Sequence, residues 1–262
     1  MNKEKTMIKV IINGAGGKMG TALRAAIEAE PDMQVIAGFD KDPDTAPPPF
    51  AFYASPADCA HGADVVIDFS HYSAVPDLLA YCLRTNTPAV IATTALGDAE
   101  DALVRAASAR IPVFRTANMS LGVNVVSHMA QLAAPALESD FNIEIVEAHH
   151  NKKTDAPSGT ALLLADAING ALATKKDLVF GRHGKNEACR ITDLGIHAIR
   201  GGSVPGEHTV LFLGPDEVIE IKHTVFSRNV FALGAVKAAR FLTGKAPGLY
   251  SMDDLIAAGA PR

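Results

Sequence analysis

A glycine-dense turn between a short apolar strand and an amphipathic helix most constrains what this chain can fold into. Residues 7–12 are apolar apart from Lys9 and run into Asn13-Gly14-Ala15-Gly16-Gly17-Lys18-Met19-Gly20. Met19, Leu23, Ala26 and Ile27 then recur at helical spacing. Residues 34–39 read as a second strand that delivers Asp40 and Lys41 at its C-terminal end, with Asp40 twenty positions after Gly20. That is the ~20-residue spacing at which an acid meets the ribose of a bound dinucleotide. The glycines read G-x-G-G-x-x-G, so the third glycine of the usual G-x-G-x-x-G falls at Met19. Context gives the pattern its weight, because strand, turn, helix, strand and acid follow in the required order. A plain βαβ turn that needs glycine only for backbone conformation is the alternative.

The same rhythm continues downstream. Residues 44–53, with Pro47-Pro48-Pro49, read as an extended loop, and residues 63–69 are a continuous apolar run suited to a strand buried on both faces. A helix follows over 73–84 with Ser73 as its cap, then a strand over 88–92 ending at Thr93-Thr94, a helix over 98–110 and a strand over 111–115. This alternation predicts an α/β domain, an open parallel sheet with helices on both faces. Ligands bind such sheets beyond the C-terminal strand ends, which places Thr93, Thr94 and Thr116-Ala117-Asn118-Met119-Ser120 near a cofactor.

After Ser120 the pattern changes to a helix over 122–137 and a strand over 141–148. Beyond residue 175 it becomes mainly β, at 188–193, 195–200, 208–213 and 218–225, as in a meander or hairpin sheet. Residues 229–242 are helical again, and the tail that follows can return to the first domain. The chain then crosses between domains near 116–120 and 227–229.

Chemistry concentrates in Glu147-Ala-His149-His150-Asn-Lys152-Lys153-Thr-Asp155-Ala-Pro157-Ser158-Gly159-Thr160-Ala161. A cation-rich loop entering a helix N-terminus suits an anion, because unpaired N–H groups and the helix dipole point the same way. Adjacent histidines on a continuing strand face opposite sides, so His149 and His150 share a site only if the strand ends around them. Histidine exchanges a proton near neutral pH, lysine supplies a proton or a fixed charge, and Ser158, Gly159 and Thr160 offer hydroxyls and N–H groups to a carboxylate. These are parts for binding a small acid and managing one proton. A metal-dependent hydrolase would need a third ligand that His149-His150-x-x-Lys153 lacks, so no metal is expected. The other histidines, His61, His71, His128, His183, His197, His208 and His223, show no spacing that marks a site.

A net charge of −5 provides no basic field for nucleic acid or an acidic membrane surface, and no basic helix-turn-helix supports a nucleotide-sensing regulator. The N-terminal apolar run is too short for a signal peptide or membrane span, which makes a cytoplasmic location the expectation. Cys59, Cys82 and Cys189 follow no disulfide or zinc spacing.

EAHHNKKTDAPSGTA, preceded by VIINGAGGKMG and followed by IRGGSVPGEHTVLF, closely resembles the 4-hydroxy-tetrahydrodipicolinate (dihydrodipicolinate) reductase family of lysine biosynthesis, over nearly the whole chain. The resemblance implies a Rossmann dinucleotide-binding domain with a parallel sheet, over 1–120 and 229–262. It implies an α+β substrate-binding and oligomerisation domain with a mixed sheet, over 121–228, and a homotetramer. The activity implied is reduction of a cyclic imine dicarboxylate by NADH, NADPH or both. Asp40 followed by Lys41 suggests dual use, a carboxylate for the 2′-OH of NADH beside a cation for the 2′-phosphate of NADPH. His149 then matches the catalytic histidine and Lys153 the proton-donating lysine. His150, Ser158, Gly159 and Thr160 match the substrate carboxylate contacts. Gly14, Ala15, Gly16, Gly17, Lys18 and Met19 match the pyrophosphate turn, Asp40 with Lys41 the ribose side, Ala92, Thr93 and Thr94 the nicotinamide-side loop, and Thr116, Ala117, Asn118 and Met119 the hinge segment. Two departures stand out: Ala92-Thr93-Thr94-Ala95 replaces a common Gly-Thr-Thr-Gly, and Asp40 stands where a longer acid is frequent.

Overall fold

Strands that carry no polar face need cover on both sides, and the chain answers with alternating helices. The structure, a computed structural model, describes residues 7–41, 49–185 and 188–259. In chain order the elements are β1 (Ile8–Asn13), α1 (Lys18–Glu28), β2 (Met33–Phe39), β3 (Ala51–Tyr53), β4 (Val65–Asp68), α2 (Val75–Thr85), β5 (Ala89–Ile91), α3 (Asp98–Ser108) and β6 (Pro112–Arg115). There follow α4 (Leu121–Leu137), β7 (Asn142–His149), α5 (Gly159–Ala171), β8 (Asp177–Phe180), β9 (Asp193–Arg200), β10 (Gly206–Leu213) and β11 (Val218–Val225). The chain ends with α6 (Asn229–Leu242), β12 (Gly248–Tyr250) and α7 (Met252–Ala257). Two units result, Met1–Ser120 with Arg228–Arg262, and Leu121–Ser227. Arg228, expected with the second unit, belongs to the first.

Among the described residues the first unit holds a seven-stranded sheet in the order β12-β6-β5-β4-β1-β2-β3. Every pairing in it is parallel. The chain leaves β1 in one direction through β2 and β3, then restarts on the other side at β4, so the switch point lies between β1 and β4. There Asn13 and Asp68 stand directly opposite each other at the C-terminal strand ends. The returning α6 is fastened by Arg240, whose Nη2 reaches Glu30 at 2.8 Å and Asp32 at 2.7 Å.

In the second unit the order is β11-β10-β7-β9-β8. β8 and β9 run parallel to β7's direction, while β10 and β11 form an antiparallel hairpin. The strands expected as a meander or hairpin sheet thus form the mixed sheet that the resemblance implied, with the hairpin at β10 and β11. Val126, Ala130 and Ala134 of α4 and Ala161, Leu164, Ala165 and Ile168 of α5 pack with Ile143, Ile145, Leu194, Ile196, Val210 and Phe212. By the two-residue period of a strand these sheet residues share one face, and Glu147 and His149 continue it toward the strand end.

Three local expectations need correction. The loop over 44–53 contains β3, whose Ala51–Tyr53 pair with β2; residues 44–48 of that loop lie outside the described residues. Ser73 does not cap α2: Tyr72–Ala74 form a 3-10 turn capped by His71, and α2 begins at Val75 without a side-chain cap. The strand expected at 188–193 is a turn, because Asp193 accepts hydrogen bonds from Arg190 N (3.1 Å) and Arg190 Nε (3.0 Å) and folds the segment back before β9 starts. Helix over 229–242 is found as expected.

Gly20 accounts for the irregular glycine spacing. A Cβ there would stand 2.3 Å from the Gly14 carbonyl oxygen and 2.6 Å from that of Ala15. The role of the third glycine, close packing of helix against turn, thus moves one position along the chain to Gly20. Alanine would gain about 1 kcal/mol of helix propensity, but the contacts are backbone oxygens that cannot swing aside, so overpacking wins. Gly20→Ala is expected to destabilise the protein by about 1–3 kcal/mol, measured by urea unfolding; an unchanged midpoint would refute the close packing.

Candidate active site

The first unit offers a cavity of about 630 Å³ lined by Asn13, Gly14, Gly17, Asp40, Lys41, Ser55, Phe69, Ser70, His71, Ser73 and Asp77, among others. Its floor is the turn after β1. Gly14 adopts φ +82°, and a Cβ on it would lie 2.8 Å from the Phe69 carbonyl oxygen, so the turn passes β4 with backbone alone. Gly14 N and Ala15 N donate to Phe39 O (2.8 and 3.1 Å), and Gly16 N donates to Asp40 Oδ2 at 2.9 Å. Gly16, Gly17 and Lys18 are exposed at the start of α1, where the positive end of the helix dipole favours an anion. Gly17 N, like Gly16 N, is already engaged within the turn, donating to Gly14 O at 3.2 Å. Met19 is half-buried beside them.

One wall is organised by Asp68, fully buried at the end of β4. It accepts hydrogen bonds from Asn13 Nδ2 (2.8 Å), Ser70 N (3.0 Å), Ser70 Oγ (2.6 Å) and Thr93 Oγ1 (2.7 Å). Burial pushes its pKa above the ordinary carboxylate value against the pull of those donors. Thr93 also donates to Ser70 O at 3.3 Å, which ties the segment after β5 to the cavity wall. Ala92 and Thr93 are buried and Thr94 is exposed, and none of them lines the cavity. Nor do Thr116, Ala117, Asn118 and Met119, which form a self-bonded turn after β6: Asn118 N donates to Thr116 Oγ1 at 3.3 Å, and Ser120 N to Asn118 Oδ1 at 2.8 Å. Ala95, standing where glycine is common, has φ +58°, a left-handed conformation that costs a side chain roughly 1–2 kcal/mol.

In the second unit β7 ends at His149, and His150 leaves the strand by donating its N–H to Val204 O at 2.8 Å. That is the ending the paired histidines required. Glu147, also on β7 and with no exposed surface, is the hub. Arg200 Nη1 reaches its Oε2 at 2.8 Å and Nη2 its Oε1 at 2.7 Å, while Ser158 N donates to Oε1 at 3.0 Å and His149 Nδ1 lies 2.6 Å from Oε2. Burial alone would raise the pKa of Glu147; the Arg200 bonds, then those of His149 and Ser158, outweigh it and hold it below the ordinary value. Ser158 caps α5, its Oγ accepting from Ala161 N at 3.2 Å and meeting His208 Nε2 at 3.0 Å. The His208 ring lies edge-on to that of His149 with centroids 5.1 Å apart. Lys153 Nζ pairs with Asp155 Oδ1 at 2.8 Å, and a Cβ on Gly159 would enter open space. Thr160 occupies the first turn of α5, half-buried.

The structure therefore gathers His149, Ser158 and the start of α5 around one buried carboxylate that the sequence reading passed over, together with Arg200 and His208. Glu147 was findable, since it precedes His149 by two positions and shares its face of the strand. Arg200 and His208 were not, because only sheet register sets His149 against Arg200 and Glu147 against His208.

Comparison with known proteins connects both units to one family. The profile of the dihydrodipicolinate reductase N-terminus matches residues 8–119, and that of its C-terminus matches residues 122–256. The chain belongs to the dihydrodipicolinate reductase family. Among its relatives, the 4-hydroxy-tetrahydrodipicolinate reductase of Caldanaerobacter subterraneus subsp. tengcongensis is 50% identical over 253 residues, 97% of this chain and 100% of that protein. That of Clostridium tetani is 42% identical over 250 residues, 95% and 97% of the two chains. A dipicolinate-bound dihydrodipicolinate reductase from Paenisporosarcina sp. TG-14 shares the fold, with a TM-score of 0.77 at 23% identity over 94% of this chain and 98% of that one. As a dihydrodipicolinate reductase family member the chain is an NAD(P)H-dependent oxidoreductase of the diaminopimelate and lysine pathway. No helix of the described residues is long and apolar enough to cross a membrane, and none of their His, Cys, Asp and Glu side chains form a cluster of three or more that could hold a metal.

His208 gives this reductase site a signature in acid. Burial, then the neighbouring His149, lowers its pKa from 6.5 to about 4. Unfolded, the ring takes its proton near 6.5; folded, it resists until about 4, so between those values the unfolded state binds more protons and stability falls as the pH drops. Wild type is expected to lose about 2 kcal/mol between pH 7 and pH 5 through this group, and His208→Gln to lack that component in urea titrations at the two pH values. An identical pH dependence in the variant would show that His208 is not held neutral by the fold.

Proposed function

We propose that this chain reduces the cyclic imine dicarboxylate formed from 4-hydroxy-tetrahydrodipicolinate by loss of water, giving tetrahydrodipicolinate. The observation that carries the proposal is the arrangement at the end of β7. A histidine and a lysine stand beside a capped helix start, and the same chain carries a glycine turn beneath a nucleotide-sized cavity. The cavity lining fits the adenosine side of a dinucleotide. Backbone alone lines the turn at Gly14, and a carboxylate stands at its rim on Asp40.

Gly14, Ala15, Gly16, Gly17, Lys18 and Met19 would hold the pyrophosphate, and Asp40 and Lys41 the adenosine ribose. Ala92, Thr93, Thr94, Thr116, Ala117, Asn118 and Met119 would stand on the nicotinamide side. When bound, the nicotinamide supplies the hydride. The second unit binds the acid: His150, Gly159 and Thr160 receive the carboxylates at the positive end of α5, where the open space over Gly159 leaves room for them. Ser158, expected among these contacts, is buried with its N–H on Glu147 and its hydroxyl on Ala161 N and His208, and serves instead to cap the helix. His149 and Lys153 manage the proton that the enamine product must gain. Lys153 is the donor, and Asp155 keeps its ammonium in place until substrate arrives.

A cytoplasmic homotetramer belongs to the same reading. The three cysteines are free thiols, as a reducing compartment favours. On the sheet face opposite α4 and α5, Ile199 and Val218 are 54% and 53% exposed, apolar surface that further copies of the chain would cover.

Lys153→Ala is expected to lower kcat by about 10²-fold or more while leaving NADH affinity unchanged, checked by steady-state rates beside fluorescence titration of NADH. A variant retaining most of its kcat would remove the assigned role. Lys41→Ala is expected to weaken NADPH about tenfold with little effect on NADH, because the ammonium can receive a 2′-phosphate that NADH lacks. Equal changes in both KM values would refute it.

A further inference from the structure

We infer that Glu147 is a positioning residue that fixes the tautomer of His149, leaving Nε2 as the ring nitrogen that works on the substrate. The inference rests on the proton role proposed for His149 and deepens it. Both oxygens of Glu147 are committed as acceptors: Oε1 to Ser158 N and Arg200 Nη2, Oε2 to Arg200 Nη1. A guanidinium and a peptide N–H can only donate, so the carboxylate in this clamp is the ionised, acceptor-only form. His149 Nδ1, 2.6 Å from Oε2, must then be the donor. In the neutral ring the one proton sits on Nδ1 and Nε2 is bare; in the charged ring Nε2 carries the proton that can be passed on.

The surroundings keep this arrangement in place. A Cβ on Gly206 would come within 3.2 Å of His149 Nε2, so the glycine keeps that side of the nitrogen clear. Glu147 on its own strand meets the ring directly and is itself clamped by Arg200 on β9; His208 on β10 lies edge-on to the ring and is in turn faced by Glu147, by His223 on β11 and by Lys153 in the loop after β7. His208, whose Nε2 is engaged by Ser158, stays neutral beside it. Glu147 and Arg200 touch no substrate in this scheme and act through His149.

Glutamine at position 147 has one acceptor oxygen. If that oxygen serves Ser158 and Arg200 Nη2, the amide N–H₂ faces His149 Nδ1 and moves the ring proton to Nε2. The test uses the full-length protein. Nitrogen-15 NMR of wild type should show neutral His149 protonated on Nδ1, and Glu147→Gln should show it protonated on Nε2. In NADH oxidation assays with the cyclic product of the preceding condensation reaction, Glu147→Gln should lower kcat by about 10–100-fold with KM unchanged. Added to His149→Gln it should cause no further loss, as expected for residues acting as a unit. A wild-type ring carrying its proton on Nε2 overturns the inference and needs no variant to fold; so does a double variant whose losses multiply. A His149→Gln enzyme with full kcat would instead defeat the proton role while leaving the tautomer result to stand by itself.

Discussion

A buried carboxylate is costly unless every lone pair is met, and Glu147 meets that demand with groups from three places. The guanidinium comes from β9, a backbone N–H from the start of α5, and an imidazole from its own strand. Removing one partner from such an ion pair typically costs about 3–5 kcal/mol, because the charge left behind stays in the interior. The same bonds that offset burial thus lock the end of β7, the entry to α5 and the end of β9 to one another. The histidine required for chemistry is held by the group that organises the local fold.

The first unit solves a parallel problem with a different residue. Asp68 is as buried as Glu147, yet its donors are hydroxyls and amides instead of a guanidinium, and its pKa moves up where that of Glu147 moves down. The contrast follows from charge: neutral donors soften the penalty of burial, and a bidentate cation reverses it. Asp68 ties Asn13, Ser70 and Thr93, three strand ends of the parallel sheet, into the wall beside the glycine turn.

Much of this was legible from residues alone, and the boundary of legibility has physical causes. The parallel sheet, its helices and the glycine turn carry local periodicities, so they could be read with only small shifts at their ends. The strand ending at His149 could be inferred from the polar residues that follow it. β3 and β8 could not: both are largely apolar, but three or four residues are too few to show a period, and β8 is mostly exposed, so its Leu178 and Phe180 mark no core face. The turn before β9 was misread because an Arg190–Asp193 contact, invisible to periodicity, overrides the apolar look of the segment. Ser73 looked like a helix cap by type and place, but the chain spends it in a 3-10 turn under His71. Arg200 lies 51 residues and His208 59 residues beyond His149 in sequence, and nothing short of the strand pairings announces them.

The pairing of β7 with β9 has a further consequence. Side chains alternate across a strand, so a slip of one residue between these two strands would keep the ladder intact and turn Arg200 to the opposite face. The carboxylate would then sit in the interior with its counter-ion outside. Register here acts as a fidelity check on folding: the misaligned sheet is penalised by an unanswered charge at the site itself, so the chain that reaches its stable state is also the one equipped to work.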